Sequence, residues 1–450
     1  MSIKKNAAIL MLTRILTMGF ALASSIFLTR ILGPEWKGVF TKVGASVELL
    51  GLIVSFHIST SIIYFSASKK LSIGKVQGLS VFSLLIQITL ILLTVGILYL
   101  SGNINLLLPE QYLGWILLAY FGARILVSRV QEIMGSFMRG ATRFEDLFIS
   151  NVLTAFLRLI TWAALFVYAK YAITTYSLGS LFLVDSVLML IGLLLVLYFF
   201  LKFFGIRPNF QLEWKQDVKP FFAYTMVGFM VIITNFLNKK IDIWFVEDMA
   251  GMKALGYYGL AASLGEVLLT FSSTFRSVLI PYLSRDFENN RAESIRNLKL
   301  FSRINVSFIS LAAVIAILIS PWIIPILYGA EFSESVLPFQ ILVVAICFLA
   351  FRSVFSAFNI ASNKLQYNLI ANLTGFLITI GLDLWLIPLH GIVGAAIASL
   401  AAYFVSSIII IYTVIVLQKL PWDNYFFLTP RDARIAISLV RQKINAQLPK

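Results

Sequence analysis

Long apolar stretches recur along the whole chain, and short segments with proline, glycine or charged residues separate them. A helix needs about 20 apolar residues to cross the core of a bilayer. Backbone polar groups in lipid are satisfied within a helix, so each stretch is expected to be helical. Twelve stretches reach the required length, at residues 7–32, 38–66, 78–100, 114–137, 146–168, 177–204, 219–246, 256–281, 298–327, 334–360, 366–387 and 391–418. The pattern therefore predicts an all-α polytopic membrane protein with twelve transmembrane helices.

An internal repeat divides this pattern into two halves. Residues 33–66 align without gaps with residues 251–284, and nine of the 34 positions are identical, among them Glu48 with Glu266. The offset covers six predicted helices, and because six is even both copies have the same orientation in the membrane. A parallel repeat of this kind predicts two pseudo-symmetric six-helix lobes around a central cleft, for which alternating access is the natural use.

The predicted domains follow from the repeat and from the basic segments beside it. They are an N-lobe at 1–206, a cytoplasmic linker at 207–215, a C-lobe at 216–420 and a basic cytoplasmic tail at 421–450. In the tail, Ile437, Val440, Ile444 and Leu448 recur at helical spacing. Two interpretations of the tail remain open, an amphipathic helix on the inner leaflet and a soluble tail.

Composition and charge support the membrane class and set its orientation. Hydrophobic residues make up 59% of the chain and charged residues 13%, whereas soluble domains are about 25% charged. This excludes a soluble enzyme and a disordered protein. The net charge is +15, and alternate loops carry 22 basic residues on one side and four on the other. The positive-inside rule then places both termini in the cytoplasm, and no nucleic-acid partner is expected.

The remaining ten basic residues lie within the predicted spans, where we find five acids. Charges at that depth are costly and usually face a bundle interior or a water-filled cavity. Arg124 and Arg158 lie near the middle of their spans, and the competing interpretation for them is a structural ion pair or a snorkelling side chain. The basic excess favours an anionic substrate. Because guanidinium groups match the geometry of phosphate, a diphosphate head group would suit a cleft lined by arginine.

The seventh predicted span carries a polar stripe. Asn235, Lys239 and Asp242 occur at i, i+4 and i+7 and share one helix face, which either lines a cavity or holds a Lys239–Asp242 pair. Intramembrane acids are also candidates for carrying a coupling proton or ion, and these are Asp242, Asp185, Asp383, Glu48 and Glu266. The equivalence of the two glutamates in the repeat also fits a structural role at the seam between the lobes.

Sequence signals of catalysis are absent. His57 and His390 are far apart, and the chain has no metal-ligand spacing, nucleotide-binding loop or nucleophile elbow. We therefore expect a protein that is not an enzyme, that holds no cofactor or metal, and that is not driven by ATP. The intramembrane acids named above could instead couple transport to a proton or sodium gradient.

Several segments together resemble a known family. Residues 29–40 (TRILGPEWKGVF) look like the turn after the first helix of bacterial polysaccharide flippases. These are the Wzx-type, O-antigen transporter-like members of the multidrug/oligosaccharidyl-lipid/polysaccharide exporter superfamily. Further matching segments are 256–281, 328–332 and 386–398. The resemblance covers nearly the whole chain and implies two six-helix bundles that form a V-shaped cleft.

The resemblance also implies a function and a set of cavity residues. Such proteins carry undecaprenyl-diphosphate-linked oligosaccharide repeat units across the bacterial cytoplasmic membrane for surface polysaccharide biosynthesis. Expected partners are this lipid-linked substrate, the bilayer, and a polysaccharide polymerase with chain-length machinery. On that analogy, and from depth and helix face, the cationic candidates for the cavity are Arg14, Arg124, Arg158, Lys239, Arg276 and Arg352. The candidates for hydrogen bonds to the sugars are the side-chain amides of Asn151 and Asn235.

Other functions remain alternatives. A lipid II flippase of the same superfamily usually has two further helices, and a multidrug cation antiporter is expected to have an acidic cavity. From another class, a membrane enzyme of polysaccharide assembly, such as a polymerase, is expected to have a large external loop. A scaffold without transport activity would not require buried charges.

Overall fold

The computed structural model describes residues 3–68, 70–172, 175–289, 291–421 and 423–429, and the regular structure in this part of the chain is all helical. The longer helices are α1 (Ile3–Ser55), α2 (Ser59–Ser68), α3 (Ile73–Leu100), α4 (Trp115–Gly140), α5 (Phe144–Ala172), α6 (Leu178–Phe203), α7 (Lys219–Lys240), α8 (Asp242–Ala250), α9 (Met252–Asn289), α10 (Arg291–Tyr328), α11 (Val336–Ala361) and α12 (Leu365–Tyr412). This confirms the all-α class. The amphipathic repeat predicted at 437–448 lies outside the described residues.

Nine helical stretches in the described residues are long and apolar enough to cross a membrane, so the chain is a multi-pass membrane protein. Helix α4 is not among the nine because it carries four charged side chains. Two of the nine are much longer than one crossing requires, with 44 residues at Leu12–Ser55 and 53 residues at Leu365–Leu417. The count of twelve spans stays a prediction.

Glycines bend the two longest helices, Gly33 in a predicted loop and Gly391 at the first residue of a predicted span. Gly33 in α1 has a φ of 62°, and Gly391 in α12 has a φ of 55°. This region of φ is accessible to glycine and strained for other residues. Pro34 follows the first bend, and proline is well suited to the first position of a helix because it lacks the N–H that would be unbonded there. The chain therefore changes direction at each glycine and continues as a helix.

One predicted span is two helices in the structure. The stretch 38–66 is interrupted between α1 and α2, where Phe56 and His57 have φ values of 43° and 58°. Neither residue is a glycine or proline, so the sequence offers no turn signal there. The predicted span 219–246 is likewise divided at Ile241, between α7 and α8.

The chain forms two compact units. The first contains the chain up to residue 260, with residues 324–334 and 387–392, and the second contains 261–323, 335–386 and the chain from 393. In the first unit, α7 packs on α2, and the Ser61 hydroxyl donates to the carbonyl of Phe221 at 2.6 Å. This unit therefore includes α7 and α8, which the repeat assigns to the second lobe. The two-lobe division itself stays a prediction.

The core of the second unit extends into the segment after the last helix. Phe355 and Phe358 lie in a buried cluster that also holds Tyr425, whose ring centroid is 5.7 Å from that of Phe355. The carboxylate of Asp423 lies 2.5 Å from the ammonium of Lys299. Residues 423–429, which belong to the predicted tail, are thus fixed to this unit.

The repeat is visible as a reciprocal contact within the first unit. A Cβ added to Gly38 would lie 2.0 Å from the carbonyl oxygen of Met252, and a Cβ added to Gly256 would lie 1.7 Å from that of Pro34. Gly38 aligns with Gly256, and Pro34 aligns with Met252. In each copy of the repeat, the glycine therefore packs against the backbone carbonyl of the other copy, Gly38 against Met252 and Gly256 against Pro34. A side chain at either glycine would clash with that carbonyl.

The linker between α6 and α7 lies against the start of α3. The side-chain amide of Gln77 donates to the carbonyl of Gly205 at 2.9 Å and accepts from the N–H of Arg207 at 2.8 Å. The N–H of Asn209 donates to the carbonyl of Gly74 at 2.8 Å. The predicted linker 207–215 is therefore bonded to α3 and is not a loose tether.

Candidate functional site

A cavity of about 750 Å³ lies between four helices of the first unit, α1, α4, α5 and α6. This volume falls within the range of small-molecule sites. Its polar lining consists of Thr13, Arg14, Thr17, Ser24, Ser25, Arg124, Gln131, Arg139, Asn151, Thr154, Arg158 and Asp185. The charged members of this lining are costly against lipid, so a cavity between helices is the expected place for them.

Helical register explains why these side chains meet. On α4, the lining residues Arg124, Gln131 and Arg139 are separated by seven and eight positions, which keeps them on one face. On α5, Asn151 and Arg158 are again seven apart. The polar stripes of four neighbouring helices turn toward one another, and their apolar faces remain for packing and lipid.

The charge balance of the cavity is positive. Arg14, Arg124, Arg139 and Arg158 line it, and Asp185 is the one acidic residue among the described lining residues. Their formal charges leave a net excess of three positive charges. Low-dielectric walls strengthen the field of such a cluster, so the cavity attracts anions.

Asp185 lies between two of these arginines and is only 4% exposed. Its Oδ2 accepts a hydrogen bond from the Tyr120 hydroxyl at 2.7 Å and lies 3.4 Å from Nη1 of Arg124. Its Oδ1 lies 3.6 Å from Nη2 of Arg158. Arg124 also donates to the hydroxyl of Tyr120. One carboxylate is therefore shared by two guanidinium groups and held by a phenol.

Five predicted site residues are brought together here: Arg14, Arg124, Asn151, Arg158 and Asp185. Four further residues belong to the site and are not among the predicted ones: Arg139, Gln131 and Thr154 in the lining, and Tyr120 beside Asp185. Arg139 lies just beyond the predicted span 114–137, but α4 continues through it to Gly140. The seven-residue spacing of polar positions on α4, read together with Arg124, is a signal that could have found Gln131.

The other candidates of the first unit do not line this cavity. Asn235 and Lys239 lie half-buried on α7. Asp242 begins α8, is buried, and accepts a hydrogen bond from the hydroxyl of Tyr258. Glu48 lies exposed on α1, outside the cavity lining. The predicted polar stripe is therefore divided, because α7 ends between Lys239 and Asp242.

The remaining candidates lie in the second unit and are described separately. Arg352 is buried on α11 and donates to Oδ1 of Asn372 at 2.9 Å. Arg276 and Glu266 are half-buried on α9. Asp383 is fully buried on α12. The Arg352–Asn372 hydrogen bond provides a structural partner for one of the predicted cavity arginines.

A second pocket of about 720 Å³ lies in the first unit, beside the segment that joins α3 and α4. Lys42, which is 2% exposed, pairs there with Glu247 and donates to the carbonyl of Asn105 at 2.6 Å. The indole of Trp244 donates to the carbonyl of Leu106 at 2.7 Å. These bonds fix the connecting segment to α1 and α8.

Comparison with known proteins agrees with this architecture. The polysaccharide biosynthesis protein family matches residues 3–287, which is more than half of the chain. The chain belongs to this family. It is 21% identical over 410 residues to the probable low-salt glycan biosynthesis flippase Agl15 of Haloferax volcanii, covering 91% of this chain and 83% of that protein.

Two solved structures share the fold. An inward-facing multidrug resistance MATE family transporter of the MOP superfamily has a TM-score of 0.69 at 14% identity, covering 90% of this chain and 96% of that chain. The lipid II flippase MurJ in its inward closed conformation has a TM-score of 0.68 at 16% identity, covering 99% and 93%. The fold is therefore that of MOP-superfamily transporters, which confirms the resemblance seen in the sequence.

Proposed function

We propose that this protein is a flippase for surface polysaccharide biosynthesis. It moves undecaprenyl-diphosphate-linked oligosaccharide repeat units across the cytoplasmic membrane by alternating access, with both termini in the cytoplasm. The single observation that carries this proposal is the cavity of the first unit, which is lined by four arginines and one carboxylate. Guanidinium groups bind phosphate through paired, charge-assisted hydrogen bonds. The family membership and the glycan flippase relative support the same substrate class.

The residues that line the cavity have different proposed roles, according to their chemistry. Arg14, Arg124, Arg139 and Arg158 receive the diphosphate and any acidic sugars. Asn151 offers both a donor and an acceptor, which suits sugar hydroxyl groups. Transport is driven by a proton or sodium gradient, and Asp185 is the candidate acid that lies in the cavity. A polysaccharide polymerase and its chain-length machinery use the delivered repeat units.

A multidrug cation antiporter is the second candidate, since the MATE transporter shares the fold. A cationic drug would have to enter a chamber with three excess positive charges, at a cost that rises as the dielectric constant falls. The cavity charge therefore favours an anionic substrate over a cationic drug.

The test is transport by purified protein in proteoliposomes that contain a fluorescent polyprenyl-diphosphate oligosaccharide. Arg124→Gln and Arg158→Gln should each lower the initial rate of flipping by about tenfold, the loss of one charged hydrogen bond. Arg143→Gln is the matched control, because Arg143 pairs with Asp146 and does not line the cavity. Unchanged flipping in both cavity variants would refute the site. Transport of cationic drugs without flipping would refute the function.

A further inference from the structure

We propose that Asp185 is an internal competitor of the substrate's phosphates and makes the cavity select multiply charged head groups over single anions. This inference rests on the proposed function, because it concerns the same arginine cluster. It assigns the carboxylate a role in specificity, separate from any part in ion coupling.

The geometry of the cluster leaves the arginines available. Charge-assisted N–H···O bonds are about 2.7–2.9 Å long at their strongest. The distances from Asp185 to Arg124 and Arg158 are 3.4 and 3.6 Å, so the carboxylate neutralises charge without using the best donor geometry. Nη1 of Arg124 also donates to the Tyr120 hydroxyl, whereas Arg158 makes no hydrogen bond to a residue in the described part of the chain. An incoming anion therefore meets two partly neutralised guanidinium groups, and that of Arg158 has donors not yet used.

Asp185 itself is held in place from the opposite side. The Tyr120 hydroxyl donates to it at 2.7 Å, a shorter contact than either arginine makes. The ring of Tyr120 is stacked on Phe182 with centroids 4.4 Å apart, which anchors the phenol to α6. A ligand that takes over the two guanidinium groups thus leaves Asp185 with a hydrogen bond, so displacement does not strand a buried carboxylate alone.

Charge decides which ligands can displace it. A monoanion brings the same charge as Asp185 and gains little by replacing it at the arginines. A diphosphate brings at least two charges and several acceptor oxygens, so it can satisfy both guanidinium groups in a bidentate manner. After binding, the nearby carboxylate repels the phosphates, which keeps affinity moderate and allows release on the other side.

The test is calorimetric titration of the full-length protein in detergent with inorganic pyrophosphate and, separately, with acetate. Asp185→Asn should bind pyrophosphate about tenfold more tightly than the wild type, because a competing charge is gone. Its affinity for acetate should increase by a still larger factor. The ratio of pyrophosphate affinity to acetate affinity should therefore be lower in Asp185→Asn than in the wild type. Asp146→Asn is the control, since it alters another buried aspartate–arginine pair outside the cavity.

The outcomes separate the two proposals. If the wild type binds pyrophosphate and Asp185→Asn binds it equally or more weakly, the competitor role is wrong while the arginine site stands. If the wild type binds no pyrophosphate, the proposed function loses its site as well. Should Asp185→Asn fail to remain monodisperse, Asp185→Ser gives the guanidinium groups room to relax and should show the same change in the affinity ratio. An unchanged ratio in that variant would overturn the inference.

Discussion

The ammonium of Lys75 lies 2.7 Å from the carboxylate of Asp217, across 142 residues of chain. Lys75 stands in the first turn of α3, and Asp217 precedes α7. The same carboxylate accepts the N–H of Glu213 at 2.9 Å. One buried side chain thus joins the C-terminal end of the linker segment to the helix on which the linker lies.

Replacing this carboxylate should release the linker. In Asp217→Asn, the loss of the charge on two hydrogen bonds should cost about 1.5–3 kcal/mol of stability. Trypsin should then cut faster at Arg207 and Lys215, as measured by gel densitometry of the purified protein. Glu110→Gln, an exposed carboxylate between α3 and α4, is the control. Equal cleavage rates in the two variants would contradict the linker contact.

Close approach of the linker to α3 gives a second prediction. A Cβ on Gly78 would lie 2.2 Å from the carbonyl oxygen of Asn209, so Gly78→Ala must push the linker away. Overpacking of this kind costs about 1–3 kcal/mol. Gly96 lies on the same helix with no atom within 4 Å of an added Cβ, and Gly96→Ala should be neutral or stabilising. Thermal unfolding followed by tryptophan fluorescence measures both variants, and equal melting temperatures would refute the prediction.

The reciprocal glycine contact predicts a matched pair of effects. Gly38→Ala and Gly256→Ala should each lower stability by about 1–3 kcal/mol, because each adds a methyl group against a backbone carbonyl. Gly44→Ala on the same helix as Gly38 has open space and serves as control. Because both substitutions separate the same two segments, the double variant should cost less than the sum of the single ones. Full additivity would show that the two contacts are independent.

Arg139 should matter for transport although it lies beyond the predicted span 114–137. In the flipping assay, Arg139→Gln is expected to lower the rate by about tenfold, through loss of a charged contact with the head group. Its Nη2 now donates to the Ser136 hydroxyl at 2.9 Å, which orients the guanidinium group within the cavity wall. Arg143→Gln, four residues further along, should retain its rate. Equal rates for Arg139→Gln and the wild type would remove Arg139 from the site.

Acid should weaken the attachment of residues 423–429. The hydrogen bond from Lys299 lowers the pKa of Asp423 below its ordinary value of 3.8. A carboxyl group whose pKa is lowered by folding adds stability above its unfolded pKa, and this is lost as the pH falls through the lowered value. The wild type should therefore be more stable than Asp423→Asn at pH 7, with no difference well below pH 3.8. A pH-independent difference in melting temperature would contradict this account.

Helix positions were largely predictable because lipid imposes one length and one polarity on each crossing. The predicted span 114–137 corresponds to α4 at Trp115–Gly140, and 177–204 corresponds to α6 at Leu178–Phe203. The break at Phe56 and His57 was not predictable, since tertiary packing holds ordinary residues in a conformation that their own chemistry disfavours. Gly33 was expected in a loop, and a single residue proved enough to turn the helix.

The site was less predictable than the fold. Depth and helical spacing selected Arg124 and Arg158, which do line the cavity, but the same reasoning also selected Asn235, which does not. Depth is a property of one helix, whereas a cavity depends on which helices are neighbours. Tyr120 shows the limit most clearly. In the sequence, Tyr120 is indistinguishable from an aromatic residue of the hydrophobic core. Only the packing of the helices shows that its hydroxyl donates a hydrogen bond to Asp185.

The described lining of the arginine cavity comes entirely from residues 13–196, within a single copy of the repeat. Every described side chain of the lining therefore belongs to the first copy, and the second copy meets the first at Gly38 and Gly256. Substitutions at the contact between the copies can thus alter how the copies pack without changing any residue that lines the cavity.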